Sequence, residues 1–96
     1  MIKTKEQLFN TKIFVKNRTE SRLVQKHAFK LGLKWCDGTK RLYYPDVKEF
    51  YFCFTNNMSY SNSGYGEDEE KEIKFKQLLS KEDLYIIDKI NNIEKL

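Results

Sequence analysis

The stretch from Asn17 to Leu33 most constrains the fold, because it fixes a helix together with both of its ends. Leu23, Val24, Ala28 and Leu31 recur at helical spacing, the pattern of a helix that buries one stripe. Asn17 to Thr19 offers a cap, Glu20 falls in the first turn and Lys30 in the last, where each charge complements the helix dipole. Gly32 stands where a left-handed C-terminal cap is wanted, and Leu33 is the apolar residue that closes such an end. A helix of this kind needs an apolar surface to lie on, and it must stop at Gly32.

The residues after Leu33 supply that surface as short strands. Trp35 and Cys36 precede Asp37-Gly38, a two-residue hairpin signal, with Leu42 to Tyr44 as the returning strand and Pro45-Asp46 as its break. Glu49 to Phe54 alternates, with Phe50, Phe52 and Phe54 on one face and Glu49, Tyr51 and Cys53 on the other. Asn56-Asn57 turns the chain into Met58 to Tyr60. Ahead of the helix, Thr4 and Gln7 have capping-box spacing and Lys12 to Lys16 reads as a strand. Residues 61–71, with Gly64, Gly66 and the acidic run from Glu67, read as an exposed polar and acidic loop. Ile73 and Phe75 give a last strand or an extended approach to Leu78 and Leu79. Ser80, Glu82 and Asp83 then open a C-terminal helix whose stripe is Ile86, Ile87, Ile90 and Ile93. The expected fold is α+β: one domain over residues 1–96, with a small antiparallel sheet of four or five strands packed with one central and one C-terminal helix.

Composition bears on the compartment and the partners. With 40% hydrophobic residues in 96, the chain can bury one core and not two. No apolar run approaches the roughly 18 to 20 residues of a membrane span, Met1 to Asn10 lacks the apolar centre of a signal peptide, and two cysteines make no disulfide framework. The expectation is a cytoplasmic protein without membrane contact. Residues 1–48 carry 12 Lys plus Arg and 4 Asp plus Glu, or +8, and residues 49–96 carry 6 and 10, or −4, which sum to the net +4. A basic half attracts phosphate, while the acidic run from Glu67 to Glu72 argues against non-specific binding to DNA. Lys far outnumbers Arg, as in AT-rich genomes, so codon bias accounts for part of the positive charge.

Nothing in the sequence defines a reaction. His27, Cys36 and Asp37 are the residue types of a cysteine nucleophile, but their proximity in sequence supplies no hydrogen-bonded dyad. Cys36, Cys53 and a single His lack the paired spacing of zinc ligands, and Gly64 and Gly66 precede no apolar helix that would complete a phosphate loop. The chain is expected to be non-enzymatic, with no catalytic residue, no metal and no cofactor.

The feature that points to a ligand is the interleaving of rings and cations. Lys34, Trp35, Lys40, Arg41, Tyr43 and Tyr51 fall on or beside the hairpin strands, where rings can stack on a base and the cations can hold phosphate. The competing reading is that Trp35 and the three Phe fill the core while the Tyr rings cover the sheet edge. Phe50 to Phe54 is similar to the aromatic strand of an RNA-recognition domain, but that family's basic, Gly, aromatic opening is missing. Neither helix has the short turn to a second helix that a helix-turn-helix reader needs.

The segment Ala28-Phe29-Lys30-Leu31-Gly32-Leu33-Lys34-Trp35-Cys36-Asp37-Gly38 resembles that of a loose group of small phage-encoded proteins, which share Phe-x-Leu-Gly-x-x-Trp-x-x-Gly between a leading strand and helix and a following aromatic strand pair. The resemblance covers about residues 11–79. It implies an accessory protein, in the cytoplasm of an infected host cell, that counters a defence by binding. It leaves three readings: sequestration of a nucleotide-derived signal by the aromatic and basic region, which is favoured; inhibition of a host defence protein, anti-CRISPR-like, through the bipolar surface or the isoleucine helix; and, less favoured, binding of single-stranded nucleic acid. A homo-oligomer with a pocket between copies is compatible with all three.

Overall fold

The computed structural model describes residues 2–42, 48–53, 55–61 and 71–94, with the side chains of residues 61 and 92–94 excepted. A 3-10 turn, Lys5–Leu8, leads into β1, Thr11–Phe14, then α1, Arg18–Leu31, β2, Lys34–Trp35, β3, Glu49–Phe52, and β4, Asn57–Ser61. β5, Lys71–Glu72, the single turn α2, Phe75–Leu78, and α3, Lys81–Glu94, complete the described elements. The architecture is α+β.

α1 forms where its sequence places it. The Asn17 side chain accepts from Glu20 N at 2.9 Å, and the helix ends at Gly32, whose φ of +113° is left-handed. Leu33 N donates to Ala28 O at 3.0 Å and Gly32 N to Phe29 O at 3.1 Å, which satisfies the last carbonyls. α3 opens as expected, with Asp83 N donating to Ser80 Oγ, and in the first turn Thr4 N donates to Gln7 Oε1.

The five strands form one sheet in the order β2-β4-β3-β1-β5. β1 and β4 flank β3 in antiparallel fashion, the β3–β4 pair being the hairpin expected at Asn56-Asn57. The edge strands join differently: β2 runs parallel to β4 and β5 parallel to β1, so the sheet is mixed and β3 alone opposes the other four. α1 carries the chain from β1 across two intervening strands to the far edge. Its 14 residues span about 21 Å at ~1.5 Å per residue, more than the roughly 14 Å of three interstrand steps.

The turn expected after Trp35 closes over three residues in place of two. Trp35 N donates to Thr39 O and Gly38 N to Trp35 O, both at 2.9 Å, with Gly38 at φ +83°, so Cys36, Asp37 and Gly38 make a three-residue loop. The same two bonds recur between β3 and β4, from Cys53 N to Asn57 O and from Asn56 N to Cys53 O, with Asn56 at φ +68°. After the second loop the chain returns as a strand. After the first, the described residues Thr39 to Leu42 are outside any strand, and β2 pairs with β4, to which α1 has delivered it. Tyr43, Tyr44, Pro45 and Asp46 lie outside the described residues, as do Phe54, Gly64, Gly66 and Glu67. The expected strand at Ile73 and Phe75 is displaced: β5 precedes Ile73, and Phe75 opens α2.

The core lies between the sheet and α1, α2 and α3. Leu8, Val24, Ala28, Leu33, Phe50, Phe52, Met58 and Leu78 are wholly buried within it. The C-terminal stripe divides: Ile87 is buried, Ile90 half-buried and Ile86 exposed, while the Ile93 side chain lies outside those described. A polar clasp joins the start of α1 to the end of α3. Buried Glu20 accepts from Lys16 N at 2.9 Å and from Asn91 Nδ2 at 3.4 Å, and Asn17 Nδ2 donates to Asn91 Oδ1 at 3.3 Å.

Candidate ligand pocket

Register decides which rings can meet. Phe50 lies opposite Ile13 and Tyr60, and Phe52 opposite Thr11 and Met58, while Trp35 lies beside Met58. Side chains on paired positions share a face, so Trp35, Met58 and Tyr60 belong to the helix-facing side. The Trp35 ring packs against Phe29 of α1, Phe50 and Tyr60, with centroids 6.0, 6.1 and 5.9 Å away.

Where β2 ends after Trp35 and β4 runs on to Ser61, a concavity of about 410 Å³ opens. Trp35, Cys36, Asp37, Arg41, Met58, Ser59 and Tyr60 line it. The volume falls within the range of small-molecule sites, about 300–1,000 Å³. Tyr60 is 39% exposed and Trp35 only 8%. The tyrosine therefore offers ring surface to a ligand, while the indole is chiefly a wall.

The Trp35 indole also positions its neighbours. Nε1 donates to Arg41 O at 2.8 Å, which fixes the chain after the loop and brings Arg41 to the rim. Asp37 Oδ1 accepts from Thr39 N at 2.9 Å and Thr39 Oγ1 at 2.7 Å. These bonds hold the Asp37 carboxyl below the usual carboxylate range, and the Arg41 charge adds to the effect. Among the described residues one cation and one carboxylate thus share the rim. Exposed Cys36 completes it.

The six residues expected to bind a ligand do not converge. Trp35 and Arg41 line the pocket. Lys40 is turned away, its Nζ 3.4 Å from Phe29 O at the C-terminal end of α1, where a cation suits the helix dipole. Lys34 precedes Trp35 on β2, so alternation sends it to the other face, where it is exposed. Tyr51 lies between Phe50 and Phe52 on that same opposite face, and its hydroxyl donates to Glu49 Oε1. Tyr43 lies outside the described residues. Sequence reasoning weighed Tyr60 evenly between ligand contact and packing and left it, Ser59 and Asp37 out of the binding set. Tyr60 could have been found from the Met58–Tyr60 alternation, had the parallel pairing of β2 with β4 been known.

Of the catalytic residue types, Cys36 and Asp37 are chain neighbours at the pocket and His27 lies on α1. Burial lowers the pKa of His27 below the usual value, with Asp83 of α3 raising it and Lys30 lowering it further. Among the described residues no group of three or more His, Cys, Asp or Glu is placed to hold a metal ion, and no helix is long and apolar enough to cross a membrane. No protein-family model matches the chain, and no curated protein or solved structure is significantly similar to it.

Proposed function

We propose that this chain is a non-enzymatic binding protein that sequesters a nucleotide-derived small molecule in the pocket between β2 and β4. The observation that carries the reading is the joint placement of the Tyr60 ring, Arg41 and Asp37 around one concavity of ligand size. A ring face suits a base, a guanidinium suits phosphate, and a carboxylate accepts from an exocyclic amine or a ribose hydroxyl. Cys36 lines the pocket while the single histidine, His27, lies near Asp83 and Lys30, which favours binding over turnover. The setting we propose, from the resemblance of Phe29 to Gly38 to phage-encoded proteins, is the countering of a defence in the cytoplasm of an infected cell.

Native mass spectrometry of the protein mixed with an extract of infected, defence-expressing cells tests this. The expected result is an added mass of nucleotide size that Arg41→Ala and Tyr60→Ala each remove and Tyr51→Ala keeps. An adduct that survives both pocket variants would rule the pocket out.

One observation favours a second reading, inhibition of a host protein. On α3, Tyr85 is 60% and Ile86 43% exposed, side by side, with Lys89 Nζ lying 4.9 Å from the Tyr85 ring centroid. Apolar surface of this kind suits a protein partner. Host-protein capture abolished by Ile86→Asp and unaffected by Arg41→Ala would select this reading over sequestration.

A further inference from the structure

The sequence grouped Lys34, Lys40 and Arg41 with the rings, Lys40 and Arg41 as the phosphate ligands, and the fold separates them. Lys40 is drawn to Phe29 O, Lys34 stands on the opposite face of the sheet, and Arg41 is the one cation among the described residues lining the pocket. Asp37 lines the same rim. A single guanidinium binds one phosphate well through its fork of donors. A second or third phosphate would enter a site with no further cation among those residues and with a fixed carboxylate beside it. Like charges brought together in a partly enclosed site repel.

We infer that the pocket selects ligands with a single phosphate group, nucleoside monophosphates over polyphosphates, with Arg41 as the phosphate ligand and Asp37 as the group that turns additional phosphate away. The inference rests on the reading of this pocket as a nucleotide site, and it narrows the ligand class within that reading.

Titration calorimetry with the four ribonucleosides and their 5′-mono- and triphosphates tests it on the full chain. The best-bound monophosphate is expected to exceed both its nucleoside and its triphosphate by about tenfold, the worth of one charge-assisted hydrogen bond made or one repulsion avoided. Arg41→Ala should bring the monophosphate down to the level of the nucleoside. Asp37→Asn, which keeps the carbonyl that Thr39 donates to, should raise triphosphate affinity and close the gap. Lys34→Ala and Lys40→Ala should leave the order unchanged, with thermal melts confirming that each variant folds. A triphosphate that binds as tightly as its monophosphate, or a Lys40→Ala loss equal to that of Arg41→Ala, would overturn the single-phosphate inference and leave the nucleotide reading standing. No binding by any of the twelve compounds would also overturn this inference, and the reading of the pocket as a nucleotide-derived site is then decided by the adduct in the native mass spectrum.

Discussion

The two faces of the sheet are built from the same strands and do opposite things. On the helix-facing side, Thr11, Ile13, Phe50, Phe52, Met58 and Trp35 are buried, and only toward the β4 edge does a ring, Tyr60, emerge. On the other side Lys12, Phe14, Tyr51 and Ser59 are at least partly exposed, Lys12 Nζ lies 5.7 Å from the Phe14 ring centroid, and the exception is Glu49. Glu49 is wholly buried, with Oε1 accepting from Tyr51 and Oε2 lacking a partner. Aromatic content therefore says little until the face is known. Trp35 and Tyr51, so close in character, cannot stack on the same ligand.

The largest expected effect that tests this contrast is on stability. Phe50→Ala should cost about 3–5 kcal/mol, a large core truncation. Phe14→Ala, at a position 40% exposed on the other side, should cost well under half of that. Urea denaturation of the two variants reads the difference directly, and equal losses would mean that the second face is as fully packed as the first. Next in size is Tyr51→Phe. Removing the hydroxyl leaves Glu49 Oε1 bare in a buried place beside an already unpartnered Oε2, at a cost of about 1–3 kcal/mol. Ligand affinity should not change, which separates Tyr51 from Tyr60.

Gly32→Ala comes third, at about 1–2 kcal/mol. The added methyl would sit 3.4 Å from Lys5 Cδ, so the cost comes from φ +113° more than from crowding. A thermal melt should show it, and an unchanged melting temperature would mean that the α1 end relaxes. The smallest effect is the dependence on pH through His27. Its folded pKa is lowered, first by burial. Between that value and the ordinary one near 6.5 the unfolded chain binds more protons, so stability is complete above the ordinary value and falls as pH drops through the folded one. His27→Gln should flatten the stability profile in that window, and a profile that keeps its slope would place the titrating group elsewhere.

How much of this was legible depends on how local the cause is. α1, with its Asn17 and Gly32 ends, the Ser80 start of α3 and the Phe50 and Phe52 alternation arise from neighbours within a turn or two, and the structure has all of them. The path of the chain after Trp35 does not. Asp37-Gly38 and Asn56-Asn57 look alike in sequence and close the same two hydrogen bonds, yet among the described residues only the second is followed at once by a strand. The difference lies in β4, some twenty residues on, as the neighbour that β2 finds. The same non-local pairing sorts the candidate site: it keeps Trp35 and Arg41, sends Lys34 and Tyr51 to the far side, and admits Tyr60.

That order of strands also sets an order of assembly. Among the described residues the ladder partners of β2 are Asn57 and Met58 of β4, so its pairing waits until β4 has folded back on β3. The loop and Arg41 travel with it, and the proposed site is therefore completed at a sheet edge held by a two-residue ladder, where local opening costs little. A ligand held between Arg41 and Tyr60 would act as a staple on that margin. Its binding should be read most clearly in slowed amide exchange at Lys34 and Trp35, with the buried strands β1 and β3 exchanging as before.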